Sequence, residues 1–132
     1  MNPEDRKDLV NFRLNRAKET LQDAEFELEN HKLNMAVNRL YYACFYAVSA
    51  LLLQSEIFAK THTGIRQMFN LHFLRNGTIS EKHSRFYTDI FEMRHSGDYD
   101  DYIVFEESQV KVLLEPAREL IARIEEIILS NA

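Results

Sequence analysis

A chain of 132 residues has the size of one domain and enough length to bury a core without disulfide or metal staples. Hydrophobic residues make up 45% and glycine and proline together only five positions, a composition for long helices that argues against a turn-rich β fold. The net charge of −5, with 16 basic residues set against 21 acidic ones, excludes the broad basic face that holds duplex nucleic acid by counterion release.

No stretch alternates apolar and polar residues as a half-buried strand does. Residues 5–30 read as a first helix, with Val10, Leu14, Ala17, Leu21, Ala24 and Leu28 repeating at steps of three and four and acidic residues on the other face. A short connection at 31–34 leads into a second helix reaching about Ile57, apolar nearly all round from Leu40 onward. Its run from Leu40 to Leu53 is too short for a bilayer span and holds three tyrosines, so it is expected to be the buried central helix of a bundle rather than a membrane segment. Thr61 or Thr63 can cap a short third helix marked by Ile65, Met68, Phe69, His72 and Phe73, which Asn76-Gly77 ends. Ser80 caps a fourth helix that should stop at Arg94 or His95, with Gly97 as the stop signal. From Glu106 to Ser130 the apolar positions hold phase through Pro116, which predicts one helix kinked at the proline. The expectation is an all-α antiparallel bundle of four to five helices in up-and-down order, one domain over residues 1–132.

The single cysteine, Cys44, sits within the apolar run and offers no disulfide framework. The first residues carry no apolar signal region, and a cytoplasmic protein is expected. Five histidines lack metal-ligand spacing, and there is no glycine-rich phosphate loop or nucleophile elbow, so neither metal nor cofactor is expected. His72 reads as a core-edge residue and His83 as solvated.

Two groups of polar residues stand out. Asn34, Asn38 and Tyr42, spaced by four, draw a polar line along the second helix with Arg39 beside it. Buried polar groups need hydrogen-bond partners, so the line should face a loop, another subunit or a ligand. The second group is the run 93–102, where Arg94 falls four residues after Ile90 and three after Phe91, on the edge of the buried face. Asp98, Asp100 and Asp101 are its nearest candidate partners. One reading is a helix end with dipole-compensating Arg94 and His95; the other is a functional site.

The run Asn38-Arg39-Leu40-Tyr41-Tyr42-Ala43-Cys44-Phe45-Tyr46-Ala47, then Lys60-Thr61-His62, then Arg94 followed by Asp98-Tyr99, resembles the HEPN superfamily, in particular its small stand-alone prokaryotic branch. The resemblance covers about residues 8–130 and implies a helical bundle that dimerises. It further implies metal-independent RNA cleavage by an arginine, a polar residue after it and a histidine four to six positions on, often in a toxin paired with a minimal nucleotidyltransferase antitoxin. Arg94 and His95 match the first two; Tyr99 stands where the histidine would fall. The expected function is a homodimeric module whose Asn38, Arg39, Tyr42, Asp98 and Tyr99 bind a nucleotide-bearing ligand or a nucleotidyltransferase partner. The alternatives are a ribonuclease toxin using Arg94 and His95 as catalytic residues, and a purely structural helical adaptor.

Overall fold

The computed structural model describes all 132 residues and contains helices and no strands. Helix α1 (Pro3–Glu29) starts at Asn2, whose side chain accepts from the Asp5 N–H at 2.8 Å, with Pro3 in the first turn where its missing N–H costs nothing. All six residues of its expected apolar stripe are buried. Helix α2 (Leu33–Gln54) returns antiparallel after a turn of three residues and touches every other helix. Tyr41, Leu40, Ala43, Cys44, Ala47 and Leu51 on it have no exposed surface at all. By composition α2 is long and apolar enough to cross a membrane, but 72% of its most apolar window is buried inside the bundle.

Both ends of this hairpin close without glycine. The Lys32 N–H donates to the Glu27 carbonyl at 2.9 Å and the His31 N–H to that of Leu28 at 3.0 Å, with His31 at φ 59°. The same double bond recurs after α2, from Ile57 to Leu52 and from Glu56 to Leu53, with Glu56 at φ 58°. Left-handed capping residues of this kind are usually glycine. Here they stop α2 at Gln54, three residues short of the expected end.

Helix α3 (His62–Phe69) is capped by the Thr61 hydroxyl, which accepts from the Gly64 N–H at 2.9 Å, and runs on into a wider π-helical turn, Asn70–Leu74. His72 on that turn is exposed, not at the core edge, and His83 is half-buried rather than solvated. Helix α4 (Glu81–Tyr99) begins at the Ser80 cap, as the sequence indicates. It does not stop at Arg94 or His95: it passes through Gly97 and ends at Tyr99. A Cβ on Gly97 would lie 2.8 Å from the Phe105 ring, so the glycine provides room for that ring and is not a helix stop.

The C-terminal segment is two helices, not one kinked at proline. Helix α5 (Glu107–Lys111) ends at Val112, and α6 (Leu114–Ser130) starts with Pro116 in its first turn, where no N–H is required. The break therefore precedes the proline by a turn. Residues from α1, α2, α4, α5 and α6 join in one apolar core with Phe69, Phe73, Ile79 and Phe105. Leu51 is at its centre, and cutting it to alanine should cost about 2–5 kcal/mol in urea unfolding; a loss below about 0.5 kcal/mol would contradict this packing.

Candidate functional site

The extension of α4 by one turn past Arg94 builds the site, because it brings Asp98 to the same face four residues on. Arg94 Nη1 lies 3.6 Å from Asp98 Oδ2. The arginine is only 8% exposed, and its Nε is buried with no hydrogen-bond partner. Its guanidinium lies over the Tyr41 ring at 4.8 Å and near the Tyr42 ring at 5.6 Å. Aromatic faces attract a cation and compensate part of the lost hydration.

The polar line of α2 meets this end of α4. The Asn34 side chain donates to the Gly97 carbonyl at 3.2 Å, and the Asn38 side chain donates to Asp98 Oδ2 at 3.0 Å. Asn38 Oδ1 in turn accepts from Arg39 Nε at 3.0 Å and Nη2 at 2.7 Å. Arg39 is thereby held 5.3 Å over Tyr42, and it makes no ion pair with a carboxylate. Two guanidinium groups thus flank one tyrosine, with Asp98 as the one paired carboxylate between them.

His62, the first residue of α3, completes the cluster. Its Nδ1 shares a hydrogen bond of 2.8 Å with the Tyr41 hydroxyl, and its ring stacks on Phe45 at 4.4 Å. Burial, and then the nearby Arg94 charge, hold its pKa below the usual 6.5. Burial pushes the Tyr41 hydroxyl up to about 12, so it remains a neutral phenol. Behind it Tyr87 stacks on Tyr41, its hydroxyl buried without a hydrogen-bond partner.

The structure brings together Asn38, Arg39, Tyr42, Arg94 and Asp98 from the expected set. It leaves His95 and Tyr99 outside: both are exposed and lie against each other with ring centroids 4.9 Å apart. Tyr41 and His62 also belong to the cluster, although neither is among the expected site residues. Lys60-Thr61-His62 was the available signal, since the Thr61 cap fixes where α3 starts and hence where His62 faces. No three His, Cys, Asp or Glu side chains converge as a metal site would require.

A family model described as HEPN domain matches residues 10–127. The chain belongs to the HEPN family. It is similar to a UPF0332 protein of Thermotoga maritima, 39% identical over 120 residues that cover 91% of each chain. Two relatives from Methanocaldococcus jannaschii carry the name "Putative toxin". One is 35% identical over 75% of this chain and 74% of its own length, the other 30% identical over 76% and 69%.

A charge kept in an aromatic pocket is costly to strand and dispensable for stability. Asp98→Ala, which leaves Arg94 buried without its carboxylate, should therefore cost about 1–3 kcal/mol in urea unfolding, and Arg94→Met less than about 1 kcal/mol. The reverse order would mean that Arg94 is kept for the fold. Stability should also decline as pH falls. His62 and His83 both titrate below 6.5 in the fold, so once pH drops through 6.5 the unfolded chain binds protons that the native state resists. Urea midpoints at pH 7.5 and 5.5 measure this, and His62→Gln should lessen the difference; equal midpoints for the wild type would contradict the assignment.

Proposed function

We propose that this chain is a homodimeric HEPN module of toxin type, acting in the cytoplasm, whose Arg94 cluster engages the phosphate of a nucleotide-bearing ligand. A minimal nucleotidyltransferase, the antitoxin partner, is the protein that would present or supply that ligand. The observation that carries the reading is the pair of guanidinium groups, Arg39 and Arg94, both within 6 Å of the Tyr42 ring, with Asp98 the one carboxylate that forms an ion pair with either. An excess cation at close quarters favours an anion, and guanidinium forks match phosphate oxygens. In a chain of net charge −5 this is a local positive site, and the neighbouring tyrosine offers a face for a base. The "Putative toxin" names of two relatives support the toxin type.

Dimerisation rests on what the bundle leaves uncovered. The neighbours of α2 cover more of it than its composition suggested, yet Tyr42, Phe45 and Tyr46 remain only half-buried. Phe45 and Tyr46 continue into an apolar hollow of about 610 Å³ walled by Leu9, Phe12, Ile57 and Phe58, of which Phe12 and Phe58 are exposed. A two-fold interface on this edge would set the two Arg94 clusters near one another.

A second reading, metal-independent RNA cleavage, has one observation in its favour: a histidine kept neutral near pH 7 shares the cluster with Arg94. His95, the earlier candidate for that role, has no contact with the cluster.

Titration of the wild type with a nucleoside monophosphate should give binding that Arg94→Met weakens at least about tenfold, the loss of one charge-assisted contact. Equal affinity in the variant would overturn the reading. Light scattering should report about twice the 15.6 kDa chain mass, and a strictly monomeric particle would remove the dimer.

A further inference from the structure

Two contacts fix how α1 and α2 lie side by side: the Arg16 guanidinium sits 5.0 Å over the Tyr46 ring, and Arg6 pairs with Glu56 at 3.0 Å. Arg16 is ten residues after Arg6 and Tyr46 ten before Glu56, as antiparallel helices require. In that register Arg13 comes level with Ser49, and Leu9 with Leu53. These residues border the hollow of about 610 Å³ enclosed by α1, α2 and the segment 57–65. The hollow therefore has two unlike ends. Arg13, Arg16, Tyr46 and Ser49 form a polar, cationic end; Leu9, Leu53, Ile57 and Phe58 form an apolar one.

Nothing in the protein answers the cations. The lining contains no carboxylate, and neither Arg13 nor Arg16 forms an ion pair. Glu56, at the far end, is engaged by Arg6, while Glu19 and Asp23 share an adjoining groove with Arg16 and do not pair with it. The Ser49 hydroxyl is buried at the cationic end without a hydrogen-bond partner. Along the lip, Phe12 and Phe58 are exposed, and apolar surface gathered beside a hollow marks a site of interaction.

We propose that the hollow binds a free amphipathic carboxylate, a medium-chain aliphatic acid, with its tail against Leu9, Leu53, Ile57 and Phe58 and its head held by Arg13 and Arg16. The volume falls within the roughly 300–1,000 Å³ of small-molecule sites. Burial of the tail supplies affinity, and guanidinium forks match carboxylate oxygens. The Tyr46 ring under Arg16 keeps one fork in place. A second copy of the chain fits less well. Hollow against hollow would oppose arginines with no carboxylate between them, and the two-fold edge at Tyr42 only borders the hollow, at Phe45 and Tyr46. An anionic bilayer surface also fits less well, because it repels a chain of net charge −5.

The test is calorimetric titration of the whole chain with sodium octanoate and sodium decanoate below their micelle-forming concentrations. Decanoate should saturate a single site and bind more tightly than octanoate, by up to about fourfold for each added CH₂. Arg13→Gln and Arg16→Gln should each weaken decanoate about tenfold, the loss of one charge-assisted contact. Decanol, with the same tail and no charge, should bind weakly and alike to all three proteins. Arg85→Gln, outside the hollow, should leave decanoate binding unchanged. Equal affinity of the wild type for decanoate and decanol, or decanoate affinity unchanged in both hollow variants, overturns the site. Light scattering should report the same particle mass with and without decanoate; dissociation into 15.6 kDa chains would make a second copy the occupant instead. Vesicles of phosphatidylcholine and phosphatidylglycerol should leave the chain in the supernatant, and co-sedimentation that Arg16→Gln abolishes would overturn the free ligand in favour of a bilayer. Neither Arg13 nor Arg16 belongs to the Arg94 cluster, so the nucleotide titration is decided separately.

Discussion

The site depends on one electrostatic constraint: a guanidinium withdrawn from water must be met on every side by something that replaces its hydration. Arg94 is met by two tyrosine faces from α2 and by Asp98 one turn further along its own helix. That carboxylate is in reach only because α4 continues to Tyr99, and Gly97 in that last turn leaves room for the Phe105 ring to pack against the helix. Asn34 and Asn38 then bind the end of α4 to the beginning of α2, one at a backbone carbonyl and the other at Asp98 itself. The helices are placed by apolar burial, and Arg94, Asp98, Asn38 and Arg39 form a chain of polar contacts across their ends.

The apolar pattern of α1 and the nearly all-round apolar character of α2 were readable from residue spacing alone, since burial repeats every three or four positions and six of six stripe residues on α1 are covered. The helix ends were less so. His31 and Glu56 adopt left-handed backbone at the caps of α1 and α2, and neither residue announces it as a glycine would. Gly97 misleads in the opposite direction, being a packing residue inside a helix. Pro116 misleads too: an apolar phase that survives the break between α5 and α6 cannot distinguish a kinked helix from two helices set in line.

For the site, local spacing brought out Asn38, Arg39, Tyr42, Arg94 and Asp98, because four-residue steps share a helix face. His62 could not be placed that way. It lies 32 residues before Arg94 in the chain, and only the Thr61 cap and the packing of α3 against α2 turn it toward Tyr41. His95 and Tyr99, which the resemblance singles out by their positions after Arg94, are exposed and lie tilted against each other. Adjacent positions on a helix point about 100° apart, which carries His95 and Tyr99 away from the face that Arg94 and Asp98 share.

The cluster of Arg94, Arg39, Tyr41, Tyr42 and His62 is the proposed ligand site on this HEPN bundle. The most direct measurement follows the side-chain nitrogen resonances of His62 and Arg94 by NMR while a nucleoside monophosphate is added. Saturable movement of both His62 Nε2 and Arg94 Nε, with the exposed ring of His95 unchanged, is the expected result. Resonances of His62 and Arg94 that stay fixed while others move would place the ligand elsewhere and contradict it.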